Sequence, residues 1–461
     1  MSGKKLKRIA LGGVAGALVA MAVIAVLQMR RHVDTMSDAQ GLRLFRETLH
    51  LVQDNYVEKV DTKKLVTGAI RGMLASLDPH SSFMGPESYK EMGIATSGSF
   101  GGLGIEINIK DGKLTVISPI EDTPAYRAGI RSNDYIWKID GKPTHGMTIS
   151  ESVRLMRGDP GTRVTLSILR EGDVKVHRFE LTRAIIKVTS VRSKLLEPGY
   201  GYLRIAQFQE RTAQDMIKAL NRMRAASGGS LKGLVLDLRN NPGGLLDESV
   251  AVAGRFIGDR PDNALVVYTQ GRPGTPRHDL NASIGEKEPH YPLVVLVNGG
   301  SASASEIVAG ALQDQKRAII MGTQTFGKGS VQSVIPLPGN NGLSLTVALY
   351  YTPSGRSIQA KGITPDIIVG QRDMRQIFSN YSGKRQHALR EKDLLNHLAG
   401  TDEANPASSA APPKAVPALP AVPHELPPAL DANPNNDYQL YRALALLKGL
   451  NVVKRLDAKA P

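Results

Sequence analysis

The spacing of apolar residues divides the 461-residue chain into regions with different predicted structure. In residues 37–92, apolar positions such as Leu42, Phe45, Leu49 and Val52 recur every three or four residues, which predicts amphipathic helices. The second helical run ends near Asp78, which is followed by a proline. These helices have two possible roles, namely covering the protein's own core or pairing with a second copy.

Residues 97–183 contain short runs in which apolar and polar residues alternate. LGIEINI and RVTLSILREG are two such runs, and glycine turns separate them, as expected of a β-rich domain. One helix, TISESVRLMRG, is predicted between the strands. The region therefore predicts a small β-rich domain.

Residues 188–370 follow a strand–helix–strand pattern. GLVLDLR (Gly233–Arg239) and PLVVLVN (Pro292–Asn298) are apolar throughout, and a turn and a helical run follow each of them. AIIMGT is a third apolar strand. Such units predict a parallel sheet that is buried on both faces, with an active site beyond the carboxyl ends of its strands.

The C-terminal region combines a linker with one helix. Residues 401–436 are rich in proline and alanine and predict a disordered, extended linker. Residues 437–456 return to a helical period, with Leu440, Leu444 and Leu447 on one face. This helix is expected to dock on its own domain or on a second subunit.

A basic leader precedes an uninterrupted apolar run at residues 9–27. Its nineteen residues are long enough to span a bilayer, so an uncleaved transmembrane signal anchor is predicted. The alternative is a signal peptide cleaved after Ala20-Met21-Ala22. In both cases the remainder is expected to be exported, because the leader's basic residues favour a cytoplasmic N-terminus.

Composition narrows the possible chemistry. The chain has no cysteine, which excludes disulfides, thiol catalysis and cysteine metal sites. Its net charge is +15, but the basic residues are scattered outside the leader and form no stripe interleaved with aromatic residues. The charge therefore supports at most some attraction to anionic lipid headgroups, and nucleic acid is not expected as a partner.

The stretch NGGSASASEIVAGALQD (Asn298–Asp314) places three serines where a strand turns into a helix. A serine there can expose its hydroxyl beside the N–H groups of a helix N-terminus, which could stabilise an oxyanion. The alternative for Ser303 is a capping box with Glu306, in which the hydroxyl satisfies a backbone N–H.

A nucleophilic serine needs a base, and no histidine lies in or beside this stretch. A Gly-x-Ser-x-Gly elbow is also absent around the three serines. Lys328 stands between two glycines in a largely uncharged stretch, where apolar surroundings would lower the lysine pKa. Gln332 could hold its amine in place. The alternative is a surface lysine in a glycine turn.

Several motifs together resemble the carboxyl-terminal processing peptidases, also called tail-specific proteases. The resemblance extends from about residue 40 to residue 453, the linker excepted, and rests on LDPHSSFM, LVLDLRNNPGGLL, LVNGGSASASEIVAGALQD, TQTFGKGSVQSVIPL, YYTPSGRSIQAKGITPDI and DYQLYRALALL. In that family a catalytic lysine follows the nucleophilic serine by 25 residues, as Lys328 follows Ser303.

The resemblance implies a role for each candidate residue of the core. Ser303 would be the nucleophile, Lys328 the base and Gln332 the support of the lysine. The oxyanion hole would consist of the backbone N–H groups of Ala304 and Gly244. Asp314 would be a structural support.

In the family the small β-rich domain is a PDZ domain. The resemblance implies that residues 102–105 capture the carboxylate of a substrate C-terminus, and that the peptide adds as a strand beside Ile105–Ile109. Its last side chain would meet the following helix. The residues concerned are Gly102, Leu103, Gly104, Ile105, Val153 and Met156.

The expected architecture is therefore a multidomain α/β protein. It has an N-terminal membrane anchor, a helical region, a PDZ domain inserted before a crotonase/ClpP-like α/β serine-protease core, a linker and a C-terminal helix. The expected function is that of an exported serine endopeptidase that recognises C-termini and degrades or processes envelope proteins, without a metal or other cofactor. A homo-oligomer and an adaptor protein are expected as further partners.

Two other functions compete with this expectation. The first is a non-catalytic PDZ scaffold that binds C-terminal tails, against which Ser303, Lys328 and Gln332 are all present at the family's spacing. The second is a crotonase-like acyl-CoA enzyme, which finds no support in an exported chain with a PDZ domain.

Overall fold

The structure is a computed structural model that describes residues 36–173, 175–258, 265–283, 285–370, 389–398, 433–434 and 436–457. Two compact units are distinguished, residues 1–73 and residues 74–461. The predicted anchor at residues 9–27 and the predicted linker lie outside the described residues, except for the last few residues of the linker. No helix within the described ranges has the length and apolar character needed to cross a membrane.

The first unit contains helix α1 (Asp38–Asn55) and most of helix α2 (Thr62–Ala75). A capping box between Ser37 and Gln40 starts α1. Within this unit, apolar side chains of α1 such as Leu42 and Leu51 are exposed. The helical period predicted for this part of the chain is therefore present, with apolar residues left accessible on α1.

Near its start, the second unit contains a strand in a region where the sequence predicts only helices. A strand, β1 (Ser82–Met84), precedes helix α3 (Pro86–Ser97) and pairs antiparallel with residues 342–344. The Asp78 carboxylate accepts the backbone N–H groups of His80 and Ser81, both at 2.8 Å, and so fixes a turn directly before the strand. The pairing partner lies more than 250 residues away, so no local pattern predicts the strand.

The first and last strands of the β-rich domain pair with each other. Its elements are β2 (Ser99–Gly102), β3 (Ile105–Lys110), β4 (Lys113–Pro119), α4 (Pro124–Arg127), β5 (Tyr135–Ile139), β6 (Lys142–Pro143), α5 (Ile149–Met156), β7 (Arg163–Leu169), β8 (His177–Thr182) and β9 (Ala184–Lys187). Strand β2 pairs antiparallel with β9, and the main sheet has the order β3-β4-β5-β7-β8. Strand β3 is thus an edge strand of that sheet.

The core domain consists of a six-stranded sheet with helices on both faces. Its elements are β10 (Val191–Glu197), β11 (Tyr200–Ile205), α6 (Thr212–Ala226), β12 (Gly233–Asp237), α7 (Leu246–Phe256), β15 (Leu293–Val297), α8 (Ala304–Asp314), β16 (Ile319–Gly322), β19 (Ile367–Ile368) and α9 (Tyr438–Asp457). The sheet order is β10-β11-β12-β15-β16-β19, and all neighbours after β11 are parallel. This agrees with the predicted parallel sheet.

Burial on both faces explains why these strands are apolar throughout. Leu234 and Leu236 pack in one cluster with residues of α6, α7 and α8, whereas Val235 packs in a second cluster with Leu440 and Leu444 of α9. Successive side chains point to opposite faces of a strand, so both faces need apolar residues.

A second sheet has five strands and contributes residues such as Val266 and Tyr350 to the core cluster. It consists of β13 (Leu265–Gln270), β14 (His278–Asn281), β17 (Ser330–Leu337) and β18 (Asn341–Tyr351), together with β1. Strands β17 and β18 form a long antiparallel hairpin.

An ion-pair network attaches α9 to the carboxyl end of β12. The fully buried Arg239 guanidinium donates to both Asp237 and Asp437, with Nη2 2.7 Å and 2.6 Å from the two carboxylates. Burial alone would lower the pKa of Arg239, but these carboxylates raise it, so the charge is retained. The C-terminal helix therefore docks on its own domain in this structure.

We expect Asp437→Asn to loosen α9. The substitution removes one of two charged partners of a buried guanidinium, and hydrogen bonds to charged groups contribute about 1.5–3 kcal/mol. Hydrogen–deuterium exchange of residues 438–457 should become at least about tenfold faster. Asp215→Asn, which removes an exposed carboxylate from a surface ion pair, is the control and should leave this exchange unchanged. Unaltered exchange in Asp437→Asn would contradict the assigned role of the network.

Candidate active site

Three turns meet at the carboxyl ends of β12, β15 and β16. They are the NNPGG turn at residues 240–244, the serine turn at residues 298–303 and the lysine loop at residues 323–329. The Ala302 N–H donates to the Asn241 carbonyl at 3.0 Å, and the Phe326 N–H donates to the Ser301 carbonyl at 3.1 Å. Because parallel strands end at one edge of the sheet, sequence segments far apart become neighbours there.

The three serines of the serine turn have different partners. The Ser301 hydroxyl donates to the Leu238 carbonyl at 2.8 Å, and the Ser305 hydroxyl donates to the Asn241 carbonyl at 2.9 Å. Both serines are fully buried. Within the described part of the chain, the Ser303 hydroxyl is the one of the three that is not bound to a backbone carbonyl.

Ser303 has an uncommon backbone conformation, with φ of 53° and ψ of −114°. Non-glycine residues rarely adopt a positive φ, and the strain costs about 1–3 kcal/mol. The Ser303 N–H donates to Glu306 Oε2 at 2.8 Å, which forms one half of the predicted capping box. The neighbouring helix therefore holds the strained residue in place.

Tyr350 is a buried neighbour of the Ser303 hydroxyl. Burial raises the pKa of the Tyr350 phenol to about 12, and its hydrogen bond with Ser303 opposes that rise. The phenol therefore stays protonated at neutral pH. The Tyr350 N–H also donates to the Gly329 carbonyl at 2.7 Å, so this tyrosine contacts both the serine turn and the end of the lysine loop.

The fully buried Glu306 carboxylate joins the serine turn to the lysine loop. Oε2 accepts the N–H groups of Ser303 at 2.8 Å and of Lys328 at 2.9 Å. Oε1 accepts the Gly327 N–H at 2.8 Å and the Thr325 hydroxyl at 2.5 Å. Burial raises the pKa of Glu306 to about 7, while these four hydrogen bonds favour the carboxylate. Ser303 and Lys328 thus share one carboxylate oxygen through their backbones.

Lys328 is partly buried and lies between Gly327 and Gly329, both of which pack closely against the backbone of residues 359–362. A Cβ added at Gly329 would lie 2.3 Å from the Gln359 backbone nitrogen, so no larger residue fits there without movement. Burial lowers the pKa of Lys328, while the carboxylates of Glu391, Glu306 and Asp78 raise it, and the net direction is downward. A lowered pKa favours the neutral amine that a base requires.

Gln332 does not donate to Lys328 in this structure. Its amide nitrogen donates to the Ser330 hydroxyl at 2.9 Å and to the Thr346 hydroxyl at 3.2 Å. The Thr346 hydroxyl in turn donates to Asp78 at 3.1 Å. The predicted support of the lysine amine by Gln332 is therefore absent from the contacts of the described residues.

The backbone N–H groups of Ala304, which follows Ser303, and of Gly244 in the NNPGG turn have no acceptor among the described residues. The Gly243 N–H, in contrast, donates to Asn241 Oδ1 at 2.9 Å. Gly243 packs against the serine turn so closely that an added Cβ would lie 2.8 Å from Ser303 Cβ. Both predicted oxyanion donors are thus available for a ligand.

Asp314 lies at the end of α8, away from these three turns along the helix. Although burial would raise its pKa, hydrogen bonds from Thr352 and Ser354 lower it. Its carboxylate also pairs with the Arg356 guanidinium. These contacts fix the turn after β18, a structural role.

The residues proposed for peptide binding lie around β3 and α5. Leu103 and Met156 are buried in the domain core, whereas Ile105 and Val153 are partly buried and pack against that core. Gly104 has a φ of 75°, and an added Cβ there would lie 2.3 Å from Thr123. Gly102 lies in β2 opposite Ala184. The free edge of β3 is thus next to the predicted side-chain site.

Sequence reasoning missed several residues of the site. Glu306 was considered as a cap of α8, and its position three residues after Ser303 was the available signal, but its contacts with the lysine loop were not predicted. Tyr350 and Gln359 lie within the motif YYTPSGRSIQAKGITPDI but were given no role, and Glu391 lies outside all the quoted motifs, since each reaches the site from a distant segment.

Comparison with known proteins identifies the domains. The family models for peptidase family S41, the PDZ domain and the activating protease CtpB N-terminal domain match residues 199–369, 115–170 and 17–88 respectively. The chain is 43% identical to a carboxy-terminal-processing protease of Bartonella bacilliformis over 95% of both chains.

Two further proteins are similar to this chain. The carboxy-terminal processing protease CtpA of Bacillus subtilis is 37% identical, with 68% of this chain and 66% of that protein covered. A solved photosystem II D1 C-terminal processing protease is 33% identical, with 71% of this chain and 92% of that chain covered and a TM-score of 0.41. Because the similarity to the Bartonella bacilliformis protein extends over nearly the whole length of the chain, the chain belongs to the carboxy-terminal processing proteases, which are serine peptidases of family S41.

Proposed function

We propose that this protein is a membrane-anchored, exported endopeptidase that cuts near substrate C-termini with a Ser303–Lys328 dyad. The observation that carries the proposal is the single Glu306 oxygen that accepts the backbone N–H groups of both residues. The same carboxylate thereby holds the backbones of Lys328, whose pKa is lowered, and of Ser303, whose hydroxyl is not bound to a backbone carbonyl.

The geometry supports acyl transfer in two steps. Neutral Lys328 takes the Ser303 proton as the hydroxyl oxygen attacks the substrate carbonyl, and the N–H groups of Ala304 and Gly244 bind the resulting oxyanion. Lys328 then returns the proton to the leaving amine. Water, activated by the same amine, hydrolyses the acyl-enzyme and regenerates Ser303.

Gln332 acts in this proposal through Thr346 and Asp78, and not through a hydrogen bond to the amine. Asp78 is one of the carboxylates that raise the pKa of Lys328. The hydroxyl of Thr346 accepts from Gln332 and donates to Asp78. Gln332 thus orients the surroundings of the base.

The PDZ domain supplies recognition of the substrate C-terminus. A substrate adds as a strand at the free edge of β3, and backbone N–H groups of residues 102–105 bind its carboxylate. Its last side chain packs against Val153 and Ile105, which are partly accessible beside the core, whereas Met156, which was also predicted to meet it, is buried in that core.

The apolar N-terminal run supports the proposed location, and the family resemblance supports the proposed substrates. The apolar run at residues 9–27 anchors the protein in the cytoplasmic membrane and places the catalytic part in the periplasm or extracytoplasmic space, or else is cleaved to release it. Envelope proteins with free C-termini are then the accessible substrates. A homo-oligomer and an activating adaptor protein complete the proposed partners.

The alternative function is a non-catalytic PDZ scaffold. It shares the same binding edge on β3 but assigns no task to the Ser303–Glu306–Lys328 arrangement. The availability of the Ala304 and Gly244 N–H groups favours the peptidase, because a pure binding protein gains nothing from free donors beside a serine hydroxyl.

We expect the full chain in detergent to cleave an unfolded protein with a free C-terminus. Ser303→Ala and Lys328→Arg should each lower kcat/KM by at least about a thousandfold, because an arginine keeps the positive charge but cannot act as a base. Amidation of the substrate C-terminus should raise KM and leave kcat nearly unchanged. Circular dichroism checks that each variant is folded.

Other outcomes distinguish the alternatives. Binding of the substrate without cleavage by the wild-type protein would favour the scaffold. If a folded Lys328→Arg variant had the same kcat/KM as the wild type, Lys328 would not be the base.

We expect Glu306→Gln to lower both activity and stability. Glutamine keeps one accepting oxygen, but its NH2 group cannot accept the hydrogen bonds that the other carboxylate oxygen now accepts, which costs about 1–3 kcal/mol of unfolding free energy. The resulting displacement of Ser303 from Lys328 should lower kcat/KM by about a hundredfold. Urea unfolding and a cleavage assay measure the two effects.

Glu151→Gln is the matched control, because Glu151 occupies the same third position in the capping box of α5. Glutamine also supports a capping box, so this variant should behave like the wild type. Equal effects of Glu306→Gln and Glu151→Gln would show that Glu306 acts merely as a helix cap.

A further inference from the structure

A segment that follows the region matched by the peptidase family model contacts the lysine loop. Residues 389–398 follow the core, and Glu391 begins a short 3-10 helix, Glu391–Asp393. The Glu391 side chain is fully buried, whereas Lys392 and Asp393 beside it are exposed. A buried carboxylate requires partners that compensate its loss of hydration.

The principal partner of the Glu391 carboxylate is the imidazole of His80, which lies near the start of the second unit. His80 Nε2 lies 2.7 Å from Oε1 and 2.9 Å from Oε2 of Glu391, and the His80 side chain is 8% exposed. Oε1 also accepts the Gln359 amide at 3.1 Å. The pair therefore joins the LDPHSSFM segment to residues 389–398.

This pair is attached to the backbone on both sides of Lys328. The Glu391 N–H donates to the Phe326 carbonyl at 3.2 Å. Gln359, which donates to Glu391, accepts the Gly329 N–H at 2.8 Å. A movement of Glu391 would therefore be transmitted to the loop that carries the lysine.

The other charged groups near Lys328 are already occupied. Glu306 accepts four hydrogen bonds, as described above. Asp78 accepts from the backbone of His80 and Ser81 and from the hydroxyls of Ser81 and Thr346. The Arg390 guanidinium donates to the Lys361 carbonyl at 3.1 Å. Of the three carboxylates that act on Lys328, Glu391 is the one bound to a side chain that can itself gain or lose a proton.

We propose that His80 and Glu391 form a buried imidazole–carboxylate pair that positions Lys328 and controls how readily its side chain releases a proton. Both are positioning residues, since they act through the lysine. The negative charge of Glu391 retains a proton on Lys328, and the His80 N–H offsets that charge. The consequence for peptide cleavage rests on the proposed function, whereas the effect on Lys328 itself does not.

The charges give opposite expectations for the two members of the pair. Glu391→Gln removes a negative charge near the amine and should favour its neutral form. His80→Ala leaves the Glu391 charge without its imidazole partner and should favour the ammonium form. If the pair were purely structural, both variants would be less stable, and the pKa of Lys328 would not shift in opposite directions.

The test measures the titration of Lys328 directly. The full chain in detergent is labelled with trace acetic anhydride at a series of pH values, and mass spectrometry reports the acetylation of Lys328 relative to exposed lysines. At a pH below the wild-type midpoint, the reactive fraction should rise about tenfold in Glu391→Gln and fall about tenfold in His80→Ala.

Asp393→Asn is the matched control, because it removes an exposed carboxylate from the same turn, and it should titrate like the wild type. His80→Gln keeps one N–H donor and should lie between the wild type and His80→Ala, which provides a second variant if the alanine variant does not fold. Unchanged Lys328 titration in folded Glu391→Gln, or shifts of the same sign in the Glu391 and His80 variants, would overturn the proposal.

Cleavage assays on the same variants separate this inference from the proposed function. If Lys328 is the base, the acid limb of the kcat/KM profile moves to lower pH in Glu391→Gln and to higher pH in His80→Ala. Opposite shifts in labelling with an unaltered pH profile would uphold the pair and contradict Lys328 as the base.

Discussion

The site depends on one buried carboxylate that is shared by two chain segments. Glu306 lies in the first turn of α8 and accepts the N–H groups of Ser303 on one side and of Gly327 and Lys328 on the other. Without it, the strained serine turn and the glycine-flanked lysine loop would each have unsatisfied buried donors. The carboxylate thus joins the two segments in one hydrogen-bonded arrangement.

The parallel sheet supplies the framework for this arrangement. Strands β12, β15 and β16 end at one edge, so the NNPGG turn, the serine turn and the lysine loop emerge together. Arg239 follows the end of β12 and is bound to Asp437 at the start of α9, which covers the opposite face from α6, α7 and α8. The C-terminal helix therefore stabilises the strand from which the NNPGG turn begins.

The sequence predicted those features that depend on local pattern. Continuous apolar strands indicated the parallel sheet, and alternating runs with glycine turns indicated the β-rich domain. The spacing of Ser303 and Lys328 singled out both residues through the family resemblance. Burial of the Ser301 and Ser305 hydroxyls against backbone carbonyls gives a separate physical reason to select Ser303.

Features that depend on long-range contacts were not predictable in this way. Strand β1 exists because it pairs with β18, and Glu391 matters because the fold brings it to His80, more than 300 residues away. Gln332 was expected to hold the lysine amine, but the β17–β18 hairpin directs it to Ser330 and Thr346. In each case the partner, and not the local sequence, determines the role.

The most direct test of the central claim is the rate at which a fluorophosphonate labels Ser303, measured against pH by mass spectrometry in the wild type and in Lys328→Arg. If Lys328 activates Ser303, labelling occurs at Ser303, its rate rises with pH as one group loses a proton, and it becomes very slow in the arginine variant. Equal labelling rates in the two proteins, or labelling at another serine, would contradict the account.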